Sequence, residues 1–251
     1  MPVLVLMYHR TPDDVAEGHF DVSLSDFRAQ IQGMIDAGVP FIRFRDCNKE
    51  EYLRGGTHVA LTFDDGHASN AKAFAFLADR SIVPTAMIVE DWSRNDGDFL
   101  SARAIADLRS VCDFGGHGAS HVDLTSLDDE ALSKELTSSR DYLRDIVGDA
   151  VTSMALPGGM GDARVMRAAL REGFQIIGNS VPLLHAKNDV SVNRVCVYRQ
   201  TGFSEPLGLA RAGRGYWMRA RAKVAVSNYG PRIVGGNNYR SMAEFIKSRL
   251  R

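Results

Sequence analysis

Val59-Ala60-Leu61-Thr62-Phe63-Asp64-Asp65-Gly66 is the stretch that decides how this chain folds. Val59 to Phe63 is a nearly continuous apolar run of strand length, and two carboxylates and a glycine end it abruptly. A strand without polar alternation is buried on both faces, as the strands of a parallel sheet are. Carboxylates just beyond its end lie where parallel α/β folds put their active sites. Within a strand, adjacent side chains face opposite ways; at a strand end that turns on Gly66 both can reach one pocket. Their repulsion then separates their roles, one held ionised by a metal and the other free to take a proton. Asp-Asp-Gly is also an ordinary turn sequence, so it does not carry function alone.

Working outward, Val3 to Met7 is a second buried strand, and Ser23-Leu24-Ser25-Asp26 opens a helix with Phe27, Ile31, Met34 and Ile35 at helical spacing up to Gly38. Helix 71–77, strand 85–89, helix 101–112 and a short strand or bend at 113–116 follow. Ser126 to Asp129 supply a cap and first-turn acids for a long helix to about residue 146. Strand 152–156 stops at Pro157-Gly158-Gly159; then come helix 162–172 and strands 174–177 and 193–197. Strands separated by helices predict a mostly parallel sheet. About seven of them in roughly 200 residues favour a distorted (β/α) barrel over an open doubly wound sheet.

The 251 residues are 45% hydrophobic and 24% charged, with a net charge of −1, which excludes disordered and low-complexity classes. Val3–Met7 is too short for a signal-peptide core or a membrane span, and no basic segment precedes it; the sequence is read as cytoplasmic. Cys47, Cys112 and Cys196 are odd in number and unrelated in spacing, as packing residues would be rather than a disulfide framework or thiolate metal site.

The near-neutral total hides an asymmetry. Residues 206–251 carry ten Lys/Arg against Glu244 alone, hence +9, leaving −10 on the rest. The chain divides accordingly into a barrel at 1–205 and a basic helical extension at 206–251. With Tyr216, Trp217, Met218 and Phe245 interspersed, that extension is read either as a peripheral contact with an anionic membrane or a phosphate-bearing substrate, at the inner membrane surface, or as a solvated helix pair covering the barrel. Nucleic acid is not an expected partner, because no binding motif accompanies the basic residues.

His117-Gly118-Ala119-Ser120-His121 is the second chemical feature. Histidines at i and i+4 bring two imidazoles to one side, and a carboxylate completes an Asp/His/His set that leaves coordination positions open. The sequence is not His-Glu-x-x-His, so the helical metallopeptidase reading lacks its general base.

Taken together, Met7-Tyr8-His9-Arg10, the helix from Phe27 to Gly38, Leu61-Thr62-Phe63-Asp64-Asp65-Gly66, Gly116-His117-Gly118-Ala119-Ser120-His121 and Leu156-Pro157-Gly158-Gly159 resemble, in order and rough spacing, the polysaccharide deacetylases of carbohydrate esterase family 4. The resemblance runs over residues 1 to about 200. The opening Tyr-His-Arg is similar to the subgroup acting on exopolysaccharide or poly-N-acetylglucosamine. It implies a metal-dependent N-deacetylase of amino sugars, in a polysaccharide, lipid-linked saccharide or nucleotide sugar, serving cell-envelope glycan biosynthesis. By the same resemblance Asp64 is the general base, and Asp65, His117 and His121 ligate a divalent metal, zinc first, with cobalt, nickel or manganese as alternatives. His185, in a loose match to the family's Leu-x-His, is the general acid. His9, Pro157 and Gly158 contact substrate, with the Gly158 N–H holding the oxyanion, and His67 is a rim residue.

The chain departs from the pattern at three places. Ala155 stands where many members carry the arginine that orients the base. Asp91-Trp92 has the letters of the Asp/Trp element but precedes the His pair, and is not carried over. The Leu-x-His match is loose. These departures keep two alternatives in view: a non-catalytic glycan-binding barrel, and the same metal hydrolase acting on a different acyl or amide group. Gly158-Gly159-Met160-Gly161 does not satisfy G-x-G-x-x-G and is read as part of the Pro-Gly turn rather than a phosphate cradle.

Overall fold

A computed structural model describes residues 3–222 apart from 14, 55, 187 and 214. Two compact units divide the chain, Met1–Arg211 and Ala212–Arg251. Of the second, 215–222 is helical, and residues 223–251, most of the expected basic extension, lie outside the described residues. No helix among the described residues is long and apolar enough to cross a membrane.

The first unit carries β1 (Val3–Tyr8), α1 (Leu24–Asp36), α2 (Glu50–Leu53), β2 (His58–Phe63), α3 (Ala71–Ala78), β3 (Thr85–Ile88), α4 (Glu90–Asn95), α5 (Ala102–Leu108), β4 (Asp113–Gly116), α6 (Asp129–Val147), β5 (Ser153–Ala155), α7 (Ala163–Arg171), β6 (Ile176–Gly178), β7 (Ser191–Val192), β8 (Val195–Cys196) and α8 (Glu205–Arg211). All strand pairs are parallel, in the order β7-β6-β5-β4-β3-β2-β1-β8. The α/β barrel is as expected, with eight strands in place of about seven.

The extra strand comes from one interruption. β7 pairs with β6 and β8 with β1, yet only Asn193 and Arg194 separate them. The opposite edges of the sheet are thus held by one continuous run of chain, and the sheet curls round on itself. Interior-facing positions follow the period of two. Val3, Val5, Ala60, Met87, Ala155, Ile176 and Val192 form one buried cluster inside the curl, with Phe44 and Cys47 added from the segment before β2. On the outer face Tyr8, Phe27, Phe63 and Phe74 stack or meet edge-on at 4.9–5.4 Å between centroids, joining β1 and β2 to α1 and α3.

The long helix is placed by its caps. The Asp128 carboxylate accepts from the Ala131 N–H at 2.8 Å, and Gly148 ends α6 at φ 75°. Leu132, Leu136, Tyr142 and Leu143 face inward. A Cβ on Gly116 would sit 3.1 Å from Ser139 Oγ and 3.3 Å from Phe174, so the bare glycine lets α6 lie close on β4. That close packing fixes the strand from which His117 follows. All three cysteines are free, Cys47 and Cys112 buried.

Candidate active site

The interior parity of β2 is Ala60, Thr62, Asp64, so Asp64 points into the barrel at its carboxyl end, where its N–H donates to the Tyr8 carbonyl at 2.9 Å. By the same alternation Asp65 would point outward. It does not, because it takes φ 73° and Gly66 φ 75°, a left-handed turn that swings both carboxylates to one side. His121 is the second non-glycine ligand candidate with positive φ, 59°. Strain of this kind persists where surrounding contacts over-determine it. Here Glu135 of α6 supplies them, accepting from the Ser120 N–H at 2.7 Å and from its hydroxyl at 3.1 Å.

Asp65, His117 and His121 converge, their ligand atoms all lying within 4.8 Å of one another. Asp65 Oδ1 is 3.5 Å from Nε2 of each histidine. His117 donates from Nδ1 to the Ala155 carbonyl at 3.0 Å, which fixes the tautomer and turns the Nε2 lone pair toward Asp65. A hard carboxylate with two imidazoles, one oriented by a backbone carbonyl, is a donor set suited to a divalent cation of the zinc kind. The residues present fit such an ion.

Asp64 is buried and stands aside from this trio, its Oδ2 3.9 Å from His117 Nε2. Its partner is Arg194, which is fully buried and donates to both carboxylate oxygens, at 2.6 and 2.9 Å. Arg194 also donates from Nε to the Asn179 carbonyl at 3.0 Å and from Nη1 to Thr62 Oγ1 at 3.3 Å. It arrives from the two-residue interruption between β7 and β8. Room for it comes from Gly178, where a Cβ would lie 2.6 Å from Arg194 Nε.

Burial alone would push the Asp64 carboxyl up; the Arg194 guanidinium and His117 outweigh it and hold it at about 2. Asp65 is likewise lowered, burial being outweighed chiefly by His117. Burial would lower His117, but the two carboxylates raise it, whereas burial and His117 together lower His121. With neutral imidazoles the two aspartates and Arg194 leave one net negative charge facing a cation.

His9 follows β1 in the inward parity of Val3, Val5 and Met7. Burial lowers its imidazole while Asp64 and Asp65 pull the other way, so it sits within the electrostatic reach of the site. Its Nδ1 is buried without a hydrogen-bond partner. Pro157 is buried against the histidine loop, its Cγ 3.5 Å from where a Cβ on Gly118 would stand, and Gly158 is exposed in the same turn at φ 62°. His67 accepts at Nδ1 from the Ser69 N–H at 3.2 Å and caps the short helical turn after β2, a structural role.

His185 requires a correction. Its N–H and C=O pair with Val3, at the opposite end of β1 from Tyr8, and its Nε2 donates to Asn48 Oδ1 at 2.6 Å. Five residues of strand, roughly 16 Å, separate that level from Asp64. His185 plugs the amino end of the barrel and does not reach the site. The loose Leu-x-His match falls on a segment that folds beneath the sheet.

Two further residues stand beside the site. Trp92, set aside on chain order, packs its ring on His121 at 4.8 Å between centroids. Arg194 is the partner for Asp64 that Ala155 does not provide, and the alternation Val192-x-Arg194-x-Cys196 was the signal that it points inward. A cavity of about 340 Å³, lined by Arg45, Arg109, Asp113 and Asp149 among others, opens at the amino ends of β4 and β5, away from all of these groups.

The chain is thus a curled parallel β/α barrel with a carboxylate and two histidines together at its carboxyl end and a second carboxylate beside them. The family model "Polysaccharide deacetylase" matches residues 53–177, and the chain belongs to the polysaccharide deacetylase family. Among solved structures it is similar to the Streptococcus pyogenes deacetylase PplD in complex with acetate, at 20% identity and TM-score 0.76 over 84% of this chain and 99% of that one. A polysaccharide deacetylase from Bacillus cereus matches at 24% identity and TM-score 0.72, over 84% and 69%. IcaB from Ammonifex degensii matches at 22% identity and TM-score 0.70, over 84% and 97%. At these identities the likeness speaks for the fold. No curated protein matches the chain by sequence.

Proposed function

We propose that this chain is a metal-dependent N-deacetylase that hydrolyses the acetamido group of an amino sugar within a glycan, lipid-linked saccharide or nucleotide sugar. The observation that carries the reading is the convergence of Asp65, His117 and His121 beside a second, buried aspartate that is paired bidentately with Arg194. Asp65, His117 and His121 would hold a divalent cation, zinc first, which when bound would lower the pKa of a water and polarise the acetyl carbonyl.

The chain's own groups do the rest. Asp64 takes the proton of the attacking water, and Arg194 keeps its carboxylate ionised and aimed for that transfer. The Gly158 N–H, in the exposed turn after β5, donates to the carbonyl oxygen as negative charge builds on it. The C–N bond breaks as the nitrogen gains a proton, giving acetate and a free amine. His9, which follows β1 at the carboxyl end of the barrel and whose buried Nδ1 has no hydrogen-bond partner, takes the donor role in place of His185.

Acetate release from a panel of N-acetylhexosamine oligomers, lipid-linked sugars and nucleotide sugars, with added zinc, tests the reading. Release should disappear in Asp64→Asn and on treatment with a chelator, and return with zinc in the chelated protein. A chain that binds about one metal ion yet frees no acetate from any member of the panel refutes the substrate class.

A further inference from the structure

The two histidines of the site are held in different ways. His117 donates from Nδ1 to the Ala155 carbonyl at 3.0 Å, so a hydrogen bond sets its ring plane. The His121 ring makes no such bond among the described residues; its Nε2 stands 3.5 Å from Asp65 Oδ1, the atom with which it would share a cation. An imidazole turns in a broad well about its last torsion, so a ligand ring without a hydrogen bond needs another means of orientation. What His121 has is a stack. The Trp92 indole lies on it at 4.8 Å between centroids with 30° between the planes, and the His117 ring meets it edge-on at 4.8 Å and 66°.

Trp92 is itself fixed. Phe99 packs on the indole at 4.9 Å. The first turn of α4, which carries Trp92, is tied to the histidine loop: Asp91 N–H donates to the Ala119 carbonyl at 2.8 Å and Glu90 N–H to the Gly118 carbonyl at 3.4 Å. The next residue, Ser93, donates from Oγ to the Leu100 carbonyl at 2.5 Å and lies 2.8 Å from the Tyr142 hydroxyl of α6. The Glu90 carboxylate accepts from Ser138 of α6 at 2.7 Å and from Arg94 at 2.9 Å. A ring on a helix anchored both to the ligand loop and to α6 can hold an imidazole by its face.

We propose that Trp92 is a positioning residue for the metal ligand His121, its indole face doing for that imidazole what the Ala155 carbonyl does for His117. This rests on the metal-binding part of the reading above and not on which bond is hydrolysed. A tryptophan that merely filled space would contribute to fold stability alone, and any side chain of similar bulk would replace it.

Zinc affinity of the full chain, measured by competition with a chromophoric chelator, should be weaker by about tenfold in Trp92→Ala. Trp92→Phe keeps a flat face and should stay within about twofold of the unmodified chain, whereas Trp92→Leu should lose as much as the alanine variant. With cobalt in place of zinc, the visible absorption of the bound ion reports ligand geometry. It should change in Trp92→Ala and Trp92→Leu and be retained in Trp92→Phe. Thermal melting of the metal-free variants reads fold stability separately. Unchanged zinc affinity in Trp92→Ala, full recovery by leucine, or a loss that follows metal-free Tm while the cobalt spectrum stays the same overturns the inference and leaves the metal site standing. An unmodified chain that takes up neither ion overturns both. A chain that frees no acetate yet shows the Trp92-dependent affinity keeps the inference and loses only the substrate class.

Discussion

Replacing Arg194 by methionine separates the two jobs assigned to it, since the long apolar chain fills the space but carries no charge. In the folded protein Asp64 is held at about 2 from an ordinary 3.8, so it favours folding above pH 3.8 and the gain is lost as pH falls through about 2. That difference amounts to about 2 kcal/mol. Removing Arg194 does more than cancel it, because burial, which can lift a carboxyl by as much as about 3 to 5 pH units, is then opposed by His117 and His9 alone. Leaving one partner of a buried pair alone costs about 3–5 kcal/mol at neutral pH. A fall in Tm on the order of 10 °C should follow for a unit of this size. Thermal unfolding under chelator isolates the effect from metal binding. Asp64→Asn strands the opposite charge, so the double variant Asp64→Asn/Arg194→Met should be more stable than either single one, a coupling of about 2 kcal/mol or more. In the zinc-loaded protein the acid-side half-activity point of kcat/KM should move toward neutral in Arg194→Met. Additive Tm changes together with an unmoved pH profile would refute the account of Arg194 as counter-charge to the base.

Other consequences are read with the same assays. Gly178→Ala puts a methyl 2.6 Å from Arg194 Nε and should cost about 1–3 kcal/mol and reduce kcat, without touching any ligand. Glu135→Ala releases Ser120 and the strained His121, and a chelator-competition assay should show zinc affinity weaker by about 10- to 100-fold. His9→Ala should lower kcat by about 10²- to 10⁴-fold, whereas His185→Ala should leave kcat unchanged and lose about 1 kcal/mol from the Asn48 contact. A kcat collapse in His185→Ala would return the general acid to that residue.

The barrel was legible because each long strand is an apolar run and four of the helices carry their own cap: Ser23 caps α1, Ser101 α5, Asp128 α6 and Asp162 α7. What escaped was short or tertiary. α2 and α4 are four and six residues long and have no side-chain cap. β7 has two residues, and only its pairing with β6 makes it a strand. The i, i+4 spacing of His117 and His121 is local, and Asp64-Asp65 stands out at the end of an apolar strand, but only the family resemblance singles out Asp65 as the carboxylate that goes with the histidines. The Arg194 pairing with Asp64 spans 130 positions and no spacing encodes it. His185 was misassigned for the complementary reason: a three-letter resemblance carries no information about which end of the barrel its loop caps.

Arg194 also bears on why the sheet closes where it does. A buried carboxylate such as Asp64 needs a counter-charge to stay ionised, and the barrel interior offers few positions for one. Ala155, inward on β5, is too short, so a long side chain must enter from another strand level with Thr62 and Asp64. The two-residue break between β7 and β8 is such a point: it lies where the sheet edges meet, its backbone is not committed to either ladder, and Gly178 on the neighbouring strand leaves the space empty. A regular eighth strand would pack a small apolar residue there and leave Asp64 neutral. The irregularity that spoils the strand count is therefore what keeps Asp64 ionised. It follows that Arg194→Lys, which keeps charge but cannot donate to both oxygens, should recover most of the stability lost in Arg194→Met but only part of kcat, since a single ammonium neutralises Asp64 without fixing its orientation. Full recovery of both would mean that charge alone is required and that the bidentate geometry is incidental.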